Sequence, residues 1–147
     1  MATIFDVAKY ILKNLEETTN GKLHKLCYYS QAWTLAWGEP ALFDEDFQAW
    51  SGGPVCPELY SENEDRFTLK YDDLQIGDET VLSEDEIENI DIVLEDYGDI
   101  EPYYLFERSI NEDPWKIARN GLHYEAPSET IITKESMKEY YGGFVDV

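Results

Sequence analysis

Apolar positions at the start of the chain recur at steps of three and four. Ile4, Val7, Ala8, Ile11, Leu12 and Leu15 follow the period of an amphipathic helix, with Thr3 as its N-cap and Asn20-Gly21 as its stop. Residues 23–37 are apolar on most sides, which predicts a central buried helix closed by Gly38 and Pro40. Phe47, Ala49 and Trp50 read as a short strand running into the turn Gly52-Gly53-Pro54, and Pro57 opens a brief helix. Residues 66–71 alternate, with Phe67, Leu69 and Tyr71 on one side of a strand. Ser83 with Glu86 forms a capping box, and the stripe Ile87, Ile90, Leu94 and Tyr97 follows it to Gly98. Further helices are expected from Pro102, from an Asp113 N-cap with Pro114, and from a Thr133 N-cap with Met137 and Tyr140 inward. The expectation is a mainly α, compact bundle of five or six helices with at most one small antiparallel β pair. No repeat or linker divides residues 1–147, so one domain is expected.

Composition supports a real core: 43% of the 147 residues are hydrophobic and 14% aromatic. Charge then changes the picture, because 32 acids face only 11 lysines and arginines, a net of −21. Proteins that grip duplex DNA or anionic membranes neutralise phosphates with basic residues, so direct binding to either is not expected. The excess is local. Residues 58–101 carry 17 acids against Arg66 and Lys70, a net of −15, while residues 1–38 are close to neutral. Such a face either keeps a protein soluble or meets a basic partner, whose association rate it would raise. Within it Glu84, Glu88, Asp91 and Glu95 share one face of a helix at steps of 1.5 Å per residue. These four, with Asp72 and Asp73, form the candidate partner surface. Met1 to Phe5 run straight into the helical pattern without a signal region, and no apolar run reaches membrane-spanning length. A cytoplasmic protein of a bacterial cell is the expectation.

Chemistry-bearing motifs are sparse. There is no phosphate loop, dinucleotide fingerprint, HExxH or GxSxG pattern. The two cysteines, Cys27 and Cys56, make neither a disulfide framework nor a zinc knuckle. His24 and Cys27 lie three apart on one helix, but Cys27 falls on its apolar side, where a thiol acts as a small hydrophobe. Tyr28, Tyr29, Trp33 and Trp37 lack the basic groove that single-strand binders combine with stacking aromatics, so core packing is their expected use. No catalytic, cofactor or metal residue is assigned, and a non-enzymatic protein is expected.

Four blocks together resemble the SocA-like antitoxin, or Panacea, domain family, which includes phage-associated GepA-type proteins. They are Lys22 to Trp33, with Lys25 and Gln31; Phe47 to Val55, with Trp50, Gly53 and Pro54; Asp113-Pro114-Trp115 with Arg119; and Ile132 to Tyr141. Cys27, where an aliphatic residue is more usual, and the acidic middle depart from the pattern. The resemblance implies a mainly helical, non-enzymatic fold that binds another protein, typically a toxin. In one branch it implies an adaptor that hands the toxin to a protease. Trp50 and Trp115 are expected in the core, and Lys22 and Lys25 are placed to pair with carboxylates such as Asp113. Two function classes follow: an antitoxin that neutralises a partner by direct binding, and a phage-borne acidic inhibitor. The second would mimic nucleic acid against an enzyme with a basic channel, such as a Cas nuclease or restriction enzyme.

Overall fold

In a computed structural model, which describes residues 1–145, the first helix, α1 (Ile4–Asn14), buries Ile4, Val7, Ala8, Ile11 and Leu12, the stripe its spacing dictates. The Thr3 N–H donates to Asp6 Oδ2 at 2.8 Å and closes the first turn. Asn20-Gly21 does not end this helix. The chain instead forms a strand, β1 (Glu17–Thr19), and Asn20 is the first residue of α2 (Asn20–Ala36). Thr19 Oγ1 accepts the Lys22 N–H at 3.0 Å as the N-cap. Asn20 is held from across the fold, its backbone N–H on the Phe67 carbonyl (2.8 Å) and its side-chain amide on the Asn63 carbonyl (2.9 Å). An Asn-Gly pair that stops a helix by local rule here starts one, because carbonyls from across the fold take the Asn20 backbone and side-chain N–H donors.

α2 is the hub, with thirteen of its seventeen residues buried. It packs against α1, α4 (Glu84–Tyr97), α5 (Pro102–Ile110) and α7 (Lys134–Gly142). Two shorter helices, α3 (Pro57–Asn63) and α6 (Asp113–Arg119), bring the described total to seven. There are two small antiparallel sheets rather than one pair. In the first, β1 pairs with β4 (Thr68–Lys70), Thr18 opposite Leu69. In the second, β2 (Phe47–Trp50) lies between β3 (Gly53–Val55) and β5 (Ile131–Ile132). The architecture is mainly α as expected, with one or two more helices and one more sheet than the pattern gave.

Several inward assignments change. Leu69 is fully buried, whereas Phe67, just before β4, is 81% exposed. α4 buries Ile90, Val93 and Tyr97, and Ile87 and Leu94 are only half-covered. In α7 the fully buried tyrosine is Tyr141, with Tyr140 half-buried against the core. Tyr141 helps build a polar knot inside the bundle. Glu112 Oε1 accepts the Tyr29 hydroxyl at 2.6 Å and the Tyr141 hydroxyl at 2.8 Å, and Arg108 lies 3.7 Å from its other oxygen. Burial and then the neighbouring carboxylate push the Tyr29 hydroxyl far above its ordinary pKa, so it stays a donor to that oxygen. Glu112 also takes the N-cap position of α6 that the pattern assigned to Asp113.

Candidate partner-binding surface

Ser83 starts α4 as its capping box requires: the Glu86 N–H donates to Ser83 Oγ (3.2 Å) and the Ser83 N–H to Glu86 Oε1 (2.9 Å). That start fixes the helical phase. With Ile90, Val93 and Tyr97 inward, Glu84, Glu88, Asp91 and Glu95 are all exposed. Seven of the helix's fourteen residues are acidic, and none makes an ion pair among the described residues. Acids in the first turn are stabilised by the helix N-terminus, but Asp91, Glu95 and Asp96 lie too far along to benefit. Asp91 does have a partner. It accepts the Tyr10 hydroxyl at 2.5 Å, and desolvation together with that carboxylate raises Tyr10 to about 12.

Beside this face Trp33, Trp37, Ile92 and Asp96 line a hollow of ≈ 230 Å³. Ile92 is 40% exposed, and the Trp33 indole N–H is tied to the Tyr97 hydroxyl at 2.9 Å. An aromatic hollow next to exposed carboxylates combines the anchoring residues and the charge that protein interfaces use. Asp72 and Asp73 belong to a different element. They sit on a separate turn (Tyr71–Asp73), where Asp73 already holds Arg66 at 3.3 Å and the Lys70 N–H at 2.9 Å.

The remaining motif residues divide into clamps and one cluster. Gln31 grips the loop after α2, accepting the Leu42 N–H and donating to the Phe43 carbonyl, each at 2.8 Å. Arg119 is 3% exposed. Its guanidinium donates to the carbonyls of Ala49 (2.8 Å), His123 (2.8 Å) and Ala126, and lies 4.6 Å over the Trp115 ring. It therefore pins residues 123–126 to β2 with backbone oxygens in place of a counter-ion. Trp115 is core, as expected, and donates its indole N–H to the Trp50 carbonyl at 2.8 Å. Trp50 is only half-buried, packed edge-on against Tyr60 at 5.0 Å. Pro54 and Pro114 are buried, while Asp113 is exposed and meets neither lysine.

Lys22 and Lys25 find carbonyls instead of carboxylates. Lys22 Nζ donates to the Gly98 carbonyl at the end of α4 (2.5 Å), and Lys25 Nζ to the Gly52 carbonyl (2.6 Å). Lys25 is 5% exposed, and burial lowers its pKa to about 8. Gly53 makes room for it. At φ +99°, a Cβ there would stand 2.8 Å from Lys25 Cε.

Next to Lys25 on α2, His24 is 2% exposed and accepts the Cys56 N–H at Nδ1 (3.2 Å). Its proton is therefore on Nε2, which has no partner. Burial, then the Lys25 charge, lower His24 to about 3. Burial, then Cys56, push the Cys27 thiol well above its ordinary value, which leaves it without thiolate character. Among the described residues no helix is long and apolar enough to cross a membrane. Alternation grouped Phe67 with Leu69 on one side of a strand, but Leu69 is buried and Phe67 stands open beside Lys25.

A family model described as antitoxin SocA-like, Panacea domain, matches residues 23–116. The matched stretch begins in α2 and ends inside α6, so it holds the Gly52-Gly53-Pro54 turn and all of α4. Arg119 and the block from Ile132 lie beyond it. No curated protein and no solved structure matches the chain.

Proposed function

This chain belongs to the antitoxin SocA-like family of Panacea domains, and from that premise we propose that it neutralises a basic partner protein by direct, non-covalent binding through the outer face of α4. The observation that carries the reading is the row Glu84, Glu88, Asp91 and Glu95, exposed together and with no basic side chain in ion-pair contact among the described residues. Like charges so arranged repel one another and cost some stability, so a cationic partner would relieve them. The Trp33–Trp37 hollow beside the row supplies an apolar anchor point. Binding rather than catalysis fits the chemistry inside the bundle. Cys27 is a buried neutral thiol, and His24 is held by a backbone N–H.

The test is co-expression with the product of the neighbouring gene, reading growth and recovery of a one-to-one complex. Rescue with an intact complex supports neutralisation by binding. Rescue with disappearance of the partner protein adds delivery to a protease, a separate step. Competition for the complex by nucleic acid would instead assign the acidic row the part of a nucleic-acid mimic. No rescue and no complex would refute the reading.

A further inference from the structure

Beyond the C-terminal end of α4, two hollows meet at Lys25. One, of ≈ 300 Å³, is lined by Lys22, Pro102, Tyr103 and Phe106; the other, of ≈ 320 Å³, by His24, Trp50, Tyr60, Glu64 and Arg66. Gly21, Lys25, Gly52 and Phe67 belong to both, so the two form one groove with an ammonium at its middle. Each hollow sits at the floor of the range for small-molecule sites, a size suited to one or two side chains. The walls are unusually open for aromatic residues: Phe67 is 81% exposed, Tyr103 62% and Tyr60 36%. Rings left in water over such a stretch mark an interaction surface.

The polar groups in the groove are unfinished. An ammonium has three donors, and Lys25 Nζ uses one, on the Gly52 carbonyl. No carboxylate lies within 4 Å of it among the described residues, in a chain with 32 acids. His24, buried in the wall, holds its Nε2–H without an acceptor. The bare Gly21 beside the ammonium keeps it reachable, since even a Cβ there would stand only 3.9 Å from Nζ. Desolvated donors left unpaired are costly and gain most from a charged acceptor.

We infer that this groove receives a short apolar segment of a partner protein carrying one internal aspartate or glutamate. The carboxylate sits on the Lys25 ammonium, with flanking apolar side chains against Phe67, Tyr60 and Trp50 on one side and Tyr103 and Phe106 on the other. Charge complementarity names the acid: Lys25 is the ammonium where the two hollows meet, Lys22 and Arg66 add positive charge to the lining, and Glu64 is the one acid among the lining residues. A polyanion would be turned away by the net charge of −21 before it reached the groove. Apolar walls on both sides of Lys25 place the acid inside the segment rather than at a chain end. The groove is separate from the α4 row, and the inference stands whether or not that row binds anything.

Selection from a phage-displayed heptapeptide library, in which every peptide's C-terminus is fused, tests it. Enriched peptides should carry one acid between aromatic or aliphatic residues. Enrichment of sequences without an acid, or no enrichment, would overturn the inference. A synthetic winner with both ends capped should lose roughly 30-fold or more in affinity by anisotropy when its acid becomes the amide. Lys25→Met should impose a similar loss, and combining the two changes should add little. If Lys25→Met does not fold, Phe67→Ala, an exposed position, decides: it should weaken the same peptide about 10-fold with the fold intact, and unchanged affinity would overturn the inference. An acid-free peptide with a free C-terminus that binds as tightly would overturn the internal placement. A chain with Glu84, Glu88 and Glu95 changed to lysine should bind the peptide as well as the parent, which keeps this test apart from that of the α4 row.

Discussion

Acidification should destabilise this protein through His24 more than through any single exposed acid. The imidazole is 2% exposed, beside the Lys25 charge, with Nδ1 taken by the Cys56 N–H at 3.2 Å and the Tyr60 ring 6.4 Å away. Charging it means placing a cation in the core next to another. Its pKa is about 3 in the fold against 6.5 for an ordinary histidine. Between those values the unfolded chain binds the extra proton, so stability falls as pH drops, by up to about 1.4 kcal/mol per pH unit. From pH 7.5 to pH 5.0 the loss from this residue is about 2 kcal/mol, and below about pH 3 no further loss accrues. His24→Asn keeps an acceptor for the Cys56 N–H and removes the titration. Urea unfolding at the two pH values should show the parent losing about 2 kcal/mol more than the variant, a midpoint difference of roughly 1 M urea. The carboxylates titrate in both chains and cancel in the difference. Equal losses in parent and variant, or an NMR titration midpoint for His24 near 6.5, would show that His24 is not buried as a neutral imidazole.

Other expectations follow from packing. Trp115→Ala should cost about 3–5 kcal/mol, as removal of a large buried ring does, whereas Trp50→Ala, at a half-buried ring, should cost about 1–2 kcal/mol; denaturant midpoints compare the two. Gly53→Ala should cost about 1–3 kcal/mol, because φ is +99° and the new methyl meets Lys25 Cε at 2.8 Å and Ser109 Oγ at 3.1 Å. A thermal melt within error of the parent would contradict that strain.

What could be read from the chain is what local periodicity and capping determine. α1 and α4 are where the spacing puts them, because an apolar stripe and a capping box act within a few residues. The exposed acidic row follows from the same helical phase. β1 and β5 were not legible: they are three and two residues long and exist through partners Thr68–Lys70 and Phe47–Gln48 far along the chain. Asn20-Gly21 reads as a stop because its tertiary partners, the carbonyls of Asn63 and Phe67, are invisible in sequence. The lysines misled for the same reason. Charge arithmetic offers Lys22 and Lys25 many carboxylates, but the turn at Gly52 and the end of α4 present carbonyls where the ammonium groups arrive. Asp73 looked free to meet a partner until the fold brought Arg66 to it.

The acidic row is the centre of the account, and one measurement reaches it directly. Glu84, Glu88 and Glu95 become lysine, while Asp91 becomes asparagine so that an acceptor remains for the Tyr10 hydroxyl. Each position is exposed, so each change should alter stability by no more than about 0.5 kcal/mol apart from the lost or kept hydrogen bond. Calorimetry with the partner at low and high salt then compares parent and variant. Parent affinity should fall as salt rises, and variant affinity should be far weaker and nearly indifferent to salt. Equal affinity and equal salt dependence in the two chains would contradict that expectation.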